Sequence, residues 1–311
     1  MQSNKNTSVA IIGAGIAGVS AALYAQRAGL DFLLFEPGIV GGQLAFMESV
    51  DNYVGLPLGT KGHALAQTLE STLQELGIPR IQKSIARISQ EDRFLLESDD
   101  AQFRAKTLIL ATGAAFKKLG IEGEAQYTGR GVSYCAICDG FFFKNKDVTI
   151  VGGGNTAAED ALYLSHICRK VTLIHRRREL RAMAYLQNQL RTRGNVEIVF
   201  DHVVNAIHGS LALETLELKN VVTGELRTMR TQGLFVAIGI IPNTAIFKDF
   251  VACDENGFIT TDEEMKTSRD RVYACGDCRK RPLRQLITAA SEGAVAAISA
   301  YKNLQGLYIS S

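Results

Sequence analysis

The stretch SVAIIGAGIAG, residues 8–18, decides the fold of this chain. Residues 8–12 form an apolar, β-branched run, and the glycine pattern of residues 13–18 leads directly into an alanine-rich helical pattern that continues to Ala28. A second apolar run at residues 32–35 ends at Glu36. This order of strand, glycine turn, helix and strand predicts a parallel sheet with right-handed crossover connections.

The glycine turn also predicts a ligand. Glycines permit a tight turn and let the backbone come close to a pyrophosphate, whose charge is then held by the amides and dipole at the helix start. Glu36 lies where an acid suits the ribose hydroxyls of an adenosine, although an ordinary solvated strand end is the alternative for it. The first segment therefore indicates a dinucleotide site of the FAD or NAD type.

Residues 147–157, DVTIVGGGNTA, repeat the same design later in the chain. One such glycine pattern is weak support for a nucleotide site, whereas two in full strand–turn–helix context are strong support. The strand after the second loop, residues 170–174, ends in a basic cluster where the ribose acid should be. Guanidinium groups offer bidentate donors that suit a 2′-phosphate, which indicates NADPH, and a solvated basic helix start is the alternative. The residues assigned to this second site are Gly152, Gly154, Asn155, Thr156, His175, Arg176, Arg177 and Arg181.

Between the two glycine loops lies the sequence CAICD, residues 135–139. Two cysteines separated by two residues can close a disulfide and reopen it, and Asp139 could supply or accept the proton that this exchange requires. Half of a zinc site would need further ligands, and His166 and His175 do not have ligand spacing to the pair. A purely structural disulfide would be unusual in a chain of cytosolic character. The neighbouring nucleotide loops favour a redox disulfide.

Composition limits the remaining possibilities. A chain of 311 residues fits about two domains, and 46% hydrophobic with 21% charged residues is a globular composition. The net charge of +2 indicates neither a nucleic-acid partner nor a membrane surface. Residues 1–8 are polar, unlike a signal peptide, and a cytoplasmic protein is expected. No metal site is expected, and the second CxxC pair, Cys275 and Cys278, most simply fills the core at a strand end.

The order of segments predicts a nested architecture. The second nucleotide domain is complete by about Ile241, so the strand at residues 271–277 and the alanine-rich helix after it return to finish the first domain. The expected fold is α/β, with two Rossmann-like three-layer nucleotide-binding domains. Residues 1–115 and 244–311 would form the FAD-binding domain, and residues 116–243 the inserted NADPH-binding domain that carries the CxxC motif.

Along essentially its whole length, the chain resembles the low-molecular-weight thioredoxin reductases of bacteria, which are FAD- and NADPH-dependent disulfide oxidoreductases. The motifs that carry this resemblance are residues 13–18, GGQL at 41–44, DNY at 51–53, ATG at 111–113, residues 135–140, 152–157 and 175–177 with Arg181, GD at 276–277 and RQ at 284–285. There are departures: Ile137 stands where threonine is commoner, and the chain has no tryptophan.

The resemblance implies an enzyme that passes electrons from NADPH through FAD and the Cys135–Cys138 disulfide to thioredoxin or a thioredoxin-like protein. It implies that Cys138 lies nearer the flavin, that Asp139 is the acid, and that the enzyme is a homodimer. It assigns thioredoxin docking to residues 129–131 with Phe141 and Phe142, a core role for Phe142 or Phe143 being the alternative. The implied FAD site consists of Gly13, Gly15, Gly18, Glu36, Gly42, Gln43, Asn52, Gly113, Asp277, Arg284 and Gln285.

Other interpretations belong to the same fold. A class that moves electrons between NADPH and ferredoxin lacks the cysteines, so the CxxC motif argues against it. A reductase that accepts electrons from ferredoxin in place of NADPH would not need the second glycine loop with its arginine cluster. A flavoprotein of the NADPH oxidase type is a further alternative. Because the cysteines belong to the inserted domain and the flavin to the other one, turnover is expected to require a rotation between domains. The hinges would lie near residues 113–114 and 241–243.

Overall fold

The structure, a computed structural model, describes residues 5–47 and 49–307, so the first half of the polar segment at residues 1–8 lies outside it. The chain forms two compact units. Unit 1 combines the residues up to Ala115 with those from Ile241 onward, and unit 2 is Phe116–Ile240.

The strands are β1 (Lys5–Ile12), β2 (Phe32–Phe35), β3 (Arg80–Ile81), β4 (Arg87–Gln90), β5 (Phe94–Glu97), β6 (Gln102–Leu110), β7 (Ala114–Phe116), β8 (Val132–Ser133), β9 (Asp147–Gly152), β10 (Lys170–Ile174), β11 (Val196–Val199), β12 (His202–Gly209), β13 (Leu213–Asn220), β14 (Leu226–Arg230), β15 (Gly233–Ala237), β16 (Ile240–Pro242) and β17 (Val272–Ala274). The α-helices are α1 (Ile16–Arg27), α2 (Gly62–Glu75), α3 (Glu124–Tyr127), α4 (Ala136–Asp139), α5 (Asn155–Ser165), α6 (Ala184–Thr192) and α7 (Leu286–Leu304). Short 3-10 turns lie at Gly42–Phe46, Gly140–Phe143, Ala245–Phe247 and Gly276–Cys278.

Unit 1 is built on a sheet of seven strands in which β3, β2, β1 and β6 are neighbours and run parallel. Opposite β1, the long strand β6 pairs with two different strands. Its first half pairs antiparallel with β5, and its last residues pair parallel with β17. The C-terminal part of the chain thus contributes a strand to the sheet that the N-terminal part begins.

Small residues let the two helices of unit 1 pack closely against each other and the sheet. The buried face of α1 is mostly alanine, and that of α7 includes Ala289, Gly293 and Ala296. A Cβ atom at Gly293 would collide with the backbone of Ala17 and Ala21, so the two helix backbones approach each other as closely as glycine allows. The start of α1 therefore packs directly against α7.

Unit 2 contains a parallel sheet of five strands in the order β11, β10, β9, β15 and β8. A separate antiparallel sheet of β12, β13 and β14 carries alternating buried and exposed residues. Its apolar face forms a second core with Ile174, Leu234 and Val236 of the parallel strands. The parallel strands place the carboxyl ends of β9 and β10 at one sheet edge, where a ligand site is expected in such folds.

The strands β7 and β16, which pair with each other, contain the two points where the chain passes between units. Within the described ranges, no helix is long and apolar enough to span a membrane.

Candidate active site

The first glycine loop joins β1 to α1 in unit 1. Gly13 has φ +103°, and a Cβ atom there would collide with the Ala111 carbonyl, so this position requires glycine. Gly18 is equally restricted, because its Cβ would strike the backbone of Gly13. At Gly15, by contrast, a Cβ would meet nothing within 4 Å, so the space in front of the helix start is open to a ligand.

Glu36 lies directly beside this loop. β1 and β2 are paired through Ile12 and Phe35, so the residues that follow the two strands are neighbours. The Glu36 carboxylate accepts hydrogen bonds from the Ala14 N–H at 2.9 Å and the Gly38 N–H at 2.8 Å. The acid is thus held at the edge of the loop, as the sequence predicts for a residue that binds an adenosine ribose.

Five further residues that the sequence assigns to this site also belong to unit 1. Gln43 follows the left-handed Gly42 and donates from Nε2 to the Ala114 carbonyl oxygen at 2.8 Å. Asn52 donates from Nδ2 to Gln285 Oε1 at 2.9 Å, which brings together residues far apart in sequence. Gly113 has φ +69° and open space where a Cβ would be.

Asp277 and Arg284 contribute buried polar atoms that the described protein does not satisfy. Asp277 Oδ1 and Arg284 Nε are buried without a hydrogen-bond partner among the described residues, although Asp277 Oδ1 lies 3.5 Å from Arg281. Burial raises the pKa of Asp277. The Arg284 guanidinium lies over the Phe258 ring at 4.1 Å. Buried polar atoms are normally paired, so this pair indicates a bound polar group.

A buried ion cluster that sequence reasoning missed holds the turn of Asp277. Glu292 accepts from the Gly276 N–H at 2.8 Å, from Arg279 at 2.7 Å and from Arg281 at 3.1 Å. Arg281 and Glu292 are almost fully buried, with side chains 2% and 14% exposed. Glu292 lies on α7, so this helix is bonded to the backbone of Gly276, the residue before Asp277.

The second glycine loop, in unit 2, joins β9 to α5. A Cβ atom at Gly152 would meet Ala157 and the Ala237 carbonyl, whereas at Gly154 the space is open. The carbonyl oxygen of Gly153 accepts the N–H of Arg181 at 2.7 Å, and Asn155 Oδ1 accepts the N–H of Met183 at 2.9 Å. The glycine loop and the arginine segment are therefore bonded to each other directly.

The basic cluster begins where β10 ends beside β9, since Ile174 pairs with Val151. Arg176, Arg177 and Arg181 are exposed and make no ion pair within the described part of the chain. His175 differs from them, because it is buried and its ring fills the space at Gly153. Burial also lowers the pKa of His175. The structure thus places three arginines in solvent beside the loop and the imidazole underneath it.

The predicted redox pair is bonded in the structure. Cys135 and Cys138 form a disulfide with a Cα–Cα distance of 5.3 Å, and α4 begins directly after Cys135. Asp139 follows, and its Oδ2 accepts a hydrogen bond from the Ser133 hydroxyl at 2.6 Å. The chain therefore places a carboxylate one residue from the second sulfur of the pair.

A buried acid, also missed in the sequence, anchors the entry to this redox loop. Glu124 is 3% exposed and accepts the N–H groups of Leu119 and Gly120 at 2.8 and 2.7 Å. The Tyr134 hydroxyl donates to the same carboxylate at 2.9 Å, and burial raises the pKa of Tyr134 to about 12. Tyr134 precedes Cys135 and stacks on Phe116, so the start of the loop is fixed.

The three phenylalanines after the redox loop divide between surface and core. Phe141 and Phe142 are 70% and 44% exposed, whereas Phe143 is buried edge-on against Phe235. Arg130 is also exposed. Exposed aromatic side chains are frequent anchors at protein interfaces.

The second CxxC pair differs from the first in both bonding and solvent exposure. Cys275 and Cys278 are free thiols with no solvent exposure. Burial raises the pKa of both, that of Cys278 to about 11. The Cys278 thiol donates to the carbonyl oxygens of Leu110 and Cys275. A protonated, inaccessible thiol is a poor nucleophile, so the pair has the properties of core residues.

We therefore expect thiol reagents to distinguish the two pairs. In the reduced native protein Cys135 and Cys138 should be modified first and the half-buried Cys253 more slowly, whereas Cys168, Cys275 and Cys278 should react only after denaturation. Peptide mapping after timed alkylation checks this. Modification of Cys275 in the native protein at the rate of Cys135 would contradict it.

Comparisons with known proteins agree with this geometry. The family model of pyridine nucleotide-disulphide oxidoreductases matches residues 7–293. The chain is 39% identical over 304 residues to a thioredoxin reductase of Peptoclostridium acidaminophilum, with 96% of each chain covered. It is 39% identical over 305 residues to one of Helicobacter pylori, covering 95% of this chain and 98% of the relative. The crystal structure of thioredoxin reductase from Streptococcus pyogenes is similar with a TM-score of 0.94 and 38% identity, over 98% of this chain and all of that one.

The resemblance and the α/β fold class predicted from the sequence are thereby confirmed. The individual site residues and the domain boundaries stay predictions.

Proposed function

We propose that this chain, which belongs to the pyridine nucleotide-disulphide oxidoreductase family, works as an NADPH-dependent thioredoxin-disulfide reductase with FAD as its second cofactor. The observation that carries the proposal is the Cys135–Cys138 disulfide on a unit that also holds the second glycine loop. The overall reaction consumes NADPH, one proton and oxidised thioredoxin, and yields NADP⁺ and reduced thioredoxin.

The residues present in unit 1 fit FAD. The open space at Gly15 would receive the pyrophosphate, and Glu36 would bind the adenosine ribose. The unsatisfied Asp277 Oδ1 and Arg284 Nε would bond to the polar groups of the bound flavin. When bound, FAD supplies the two-electron relay between the nicotinamide and the disulfide.

The residues of unit 2 fit NADPH. Gly154 leaves room for a pyrophosphate at the start of α5. Arg176, Arg177 and Arg181 would bind the 2′-phosphate through charge-assisted hydrogen bonds. His175 supports the loop from below, since its ring occupies the space beside Gly153.

Dithiol exchange then delivers the electrons. One cysteine thiolate attacks a sulfur of thioredoxin's disulfide, that S–S bond breaks, and the leaving thioredoxin thiolate takes up a proton. The second thiol gives up its proton and attacks the mixed disulfide, which releases the other thioredoxin sulfur and restores Cys135–Cys138. Two electrons and two protons pass to thioredoxin, and Asp139 accepts and returns a proton during the exchange.

Thioredoxin would dock on the exposed aromatics beside the disulfide. Phe141 and Phe142 offer apolar contacts close in sequence to the redox pair, and Arg130 offers a charge. A homodimer and a cytoplasmic location, which the resemblance implies, belong to the same proposal.

The function predicts a simple spectroscopic result. The purified protein should be yellow with bound flavin, NADPH should bleach the flavin band without air, and oxidised thioredoxin should restore the colour with catalytic turnover. Reduced ferredoxin offered as the donor in place of NADPH is the control for the ferredoxin-dependent alternative. A flavin that NADPH leaves oxidised, or one that thioredoxin cannot reoxidise, would contradict the proposal.

A further inference from the structure

The Ser133 hydroxyl joins the redox loop to its acid through contacts with Asp139 Oδ2, with the Cys135 N atom and, at 3.4 Å, with the Cys135 carbonyl oxygen. The Ser133 side chain is almost wholly buried, with 5% exposed. Ser133 Oγ lies 2.6 Å from Asp139 Oδ2 and 3.1 Å from the N atom of Cys135. A hydroxyl carries one proton, so the short contact uses it as donor to the carboxylate, while a lone pair accepts the Cys135 N–H.

The position of this hydroxyl is set by the sheet. Ser133 ends β8 and pairs with Phe235 of the parallel strand β15. Asp139 is held from its backbone as well, because its N–H donates to the Cys135 carbonyl at 3.1 Å. Ser133, the Cys135–Cys138 turn and Asp139 thus form one closed ring of hydrogen bonds. Ser133, which belongs to a buried strand, anchors this ring to the sheet.

We propose that Ser133 is a positioning residue for Asp139, whose carboxyl group it orients beside the Cys135–Cys138 pair. The inference rests on the proposed function, in which Asp139 accepts a proton from the attacking thiol and returns it to the leaving thioredoxin thiolate. Without the Ser133 hydrogen bond, the Asp139 carboxyl group would spend less time in the geometry for this transfer, so the exchange would slow while binding stays unchanged.

A set of four variants tests this. Ser133→Ala should keep the bleaching of the flavin by NADPH and the KM for thioredoxin within about twofold, while kcat falls about tenfold, the factor that loss of one hydrogen bond to a charged group gives. Ser133→Thr, which restores the hydroxyl and suits a strand, should recover most of kcat. Asp139→Asn should also slow kcat, and Ser133→Ala added to it should slow it no further, because the acid through which Ser133 acts is gone.

A matched control separates positioning from structure. Thr149 in β9 is a buried hydroxyl of the same sheet, bonded to Thr231 at 3.1 Å. Thr149→Val should cost stability comparable to that of Ser133→Ala in thermal unfolding and leave kcat unchanged.

The possible results distinguish the role of Ser133 from the role of Asp139 and from the proposed function. The role of Ser133 would be overturned if Ser133→Ala had the wild-type kcat. It would also be overturned if the fall in kcat of the double variant were the product of the falls in the two single variants, or if Thr149→Val lost as much kcat as Ser133→Ala. A wild-type kcat in Asp139→Asn would instead overturn the acid in the proposed function, and with it the inference. A flavin that NADPH cannot bleach in the wild-type enzyme would refute the proposed function itself.

Discussion

Replacing either Cys135 or Cys138 with serine is expected to abolish thioredoxin reduction, with a loss on the order of a thousandfold or more. A hydroxyl cannot form the disulfide that the structure shows, so no pair of sulfurs can accept two electrons and pass them on. Because the two sulfurs act as one unit, the double variant should lose no more than either single variant. The measurement is the steady-state rate of NADPH oxidation with thioredoxin as acceptor.

A second readout shows that the variants are folded and not merely inactive. Anaerobic titration should reduce the wild-type protein with about two equivalents of a two-electron donor, for the flavin and the disulfide, and the variants with about one. Cys253→Ser is the matched control, since Cys253 is a half-buried free cysteine of unit 1. A Cys135→Ser enzyme that kept a few per cent of wild-type turnover would show that another route to thioredoxin exists.

Local patterns made much of this predictable. Each glycine loop is a continuous segment whose requirement for glycine arises within the turn or from the adjacent strand, as at Gly13 beside Ala111. Glu36 follows β2 and is therefore brought next to the loop after β1 by ordinary parallel pairing. Residues of this kind can be placed on a sheet edge as soon as the order of strands is known.

The residues that the sequence did not reveal act through contacts across the fold. Glu124 accepts a hydrogen bond from Tyr134, and Glu292 accepts one from the Gly276 N–H. These bonds depend on how helices and loops pack, so the sequence contains no periodic pattern that predicts them. Ser133 is the exception, because its closeness to Cys135 and Asp139 in the chain could have suggested a hydrogen-bonded turn.

Tertiary packing separates His175 from the other residues of its motif. Its ring is buried beside Gly153, whereas Arg176, Arg177 and Arg181 are exposed. The assignment of His175 to the nucleotide site stays a prediction. The motif is visible in the sequence, and the direction of each side chain is not.

Replacing Arg176 and Arg177 together with glutamine is expected to remove the preference for NADPH. Each charge-assisted hydrogen bond to a phosphate contributes about 1.5–3 kcal/mol. Both side chains are exposed, where solvent and salt weaken such contacts, so we expect the lower part of this range. The KM for NADPH should rise at least about tenfold while that for NADH stays nearly constant, because NADH lacks the 2′-phosphate that we propose these groups bind.

The chain itself offers the control. Arg178 is the next residue, equally exposed, but its Nε lies 3.5 Å from Asp201, so its charge is already partnered within the protein. Arg178→Gln should therefore leave the ratio of the two KM values within about twofold of the wild type. Raising the salt concentration should raise the KM for NADPH more than that for NADH and so reduce the native preference, since NADPH carries an additional charged 2′-phosphate. Equal use of NADH and NADPH by the native protein, or a loss of preference in Arg178→Gln as large as in the double variant, would show that the cofactor is selected elsewhere.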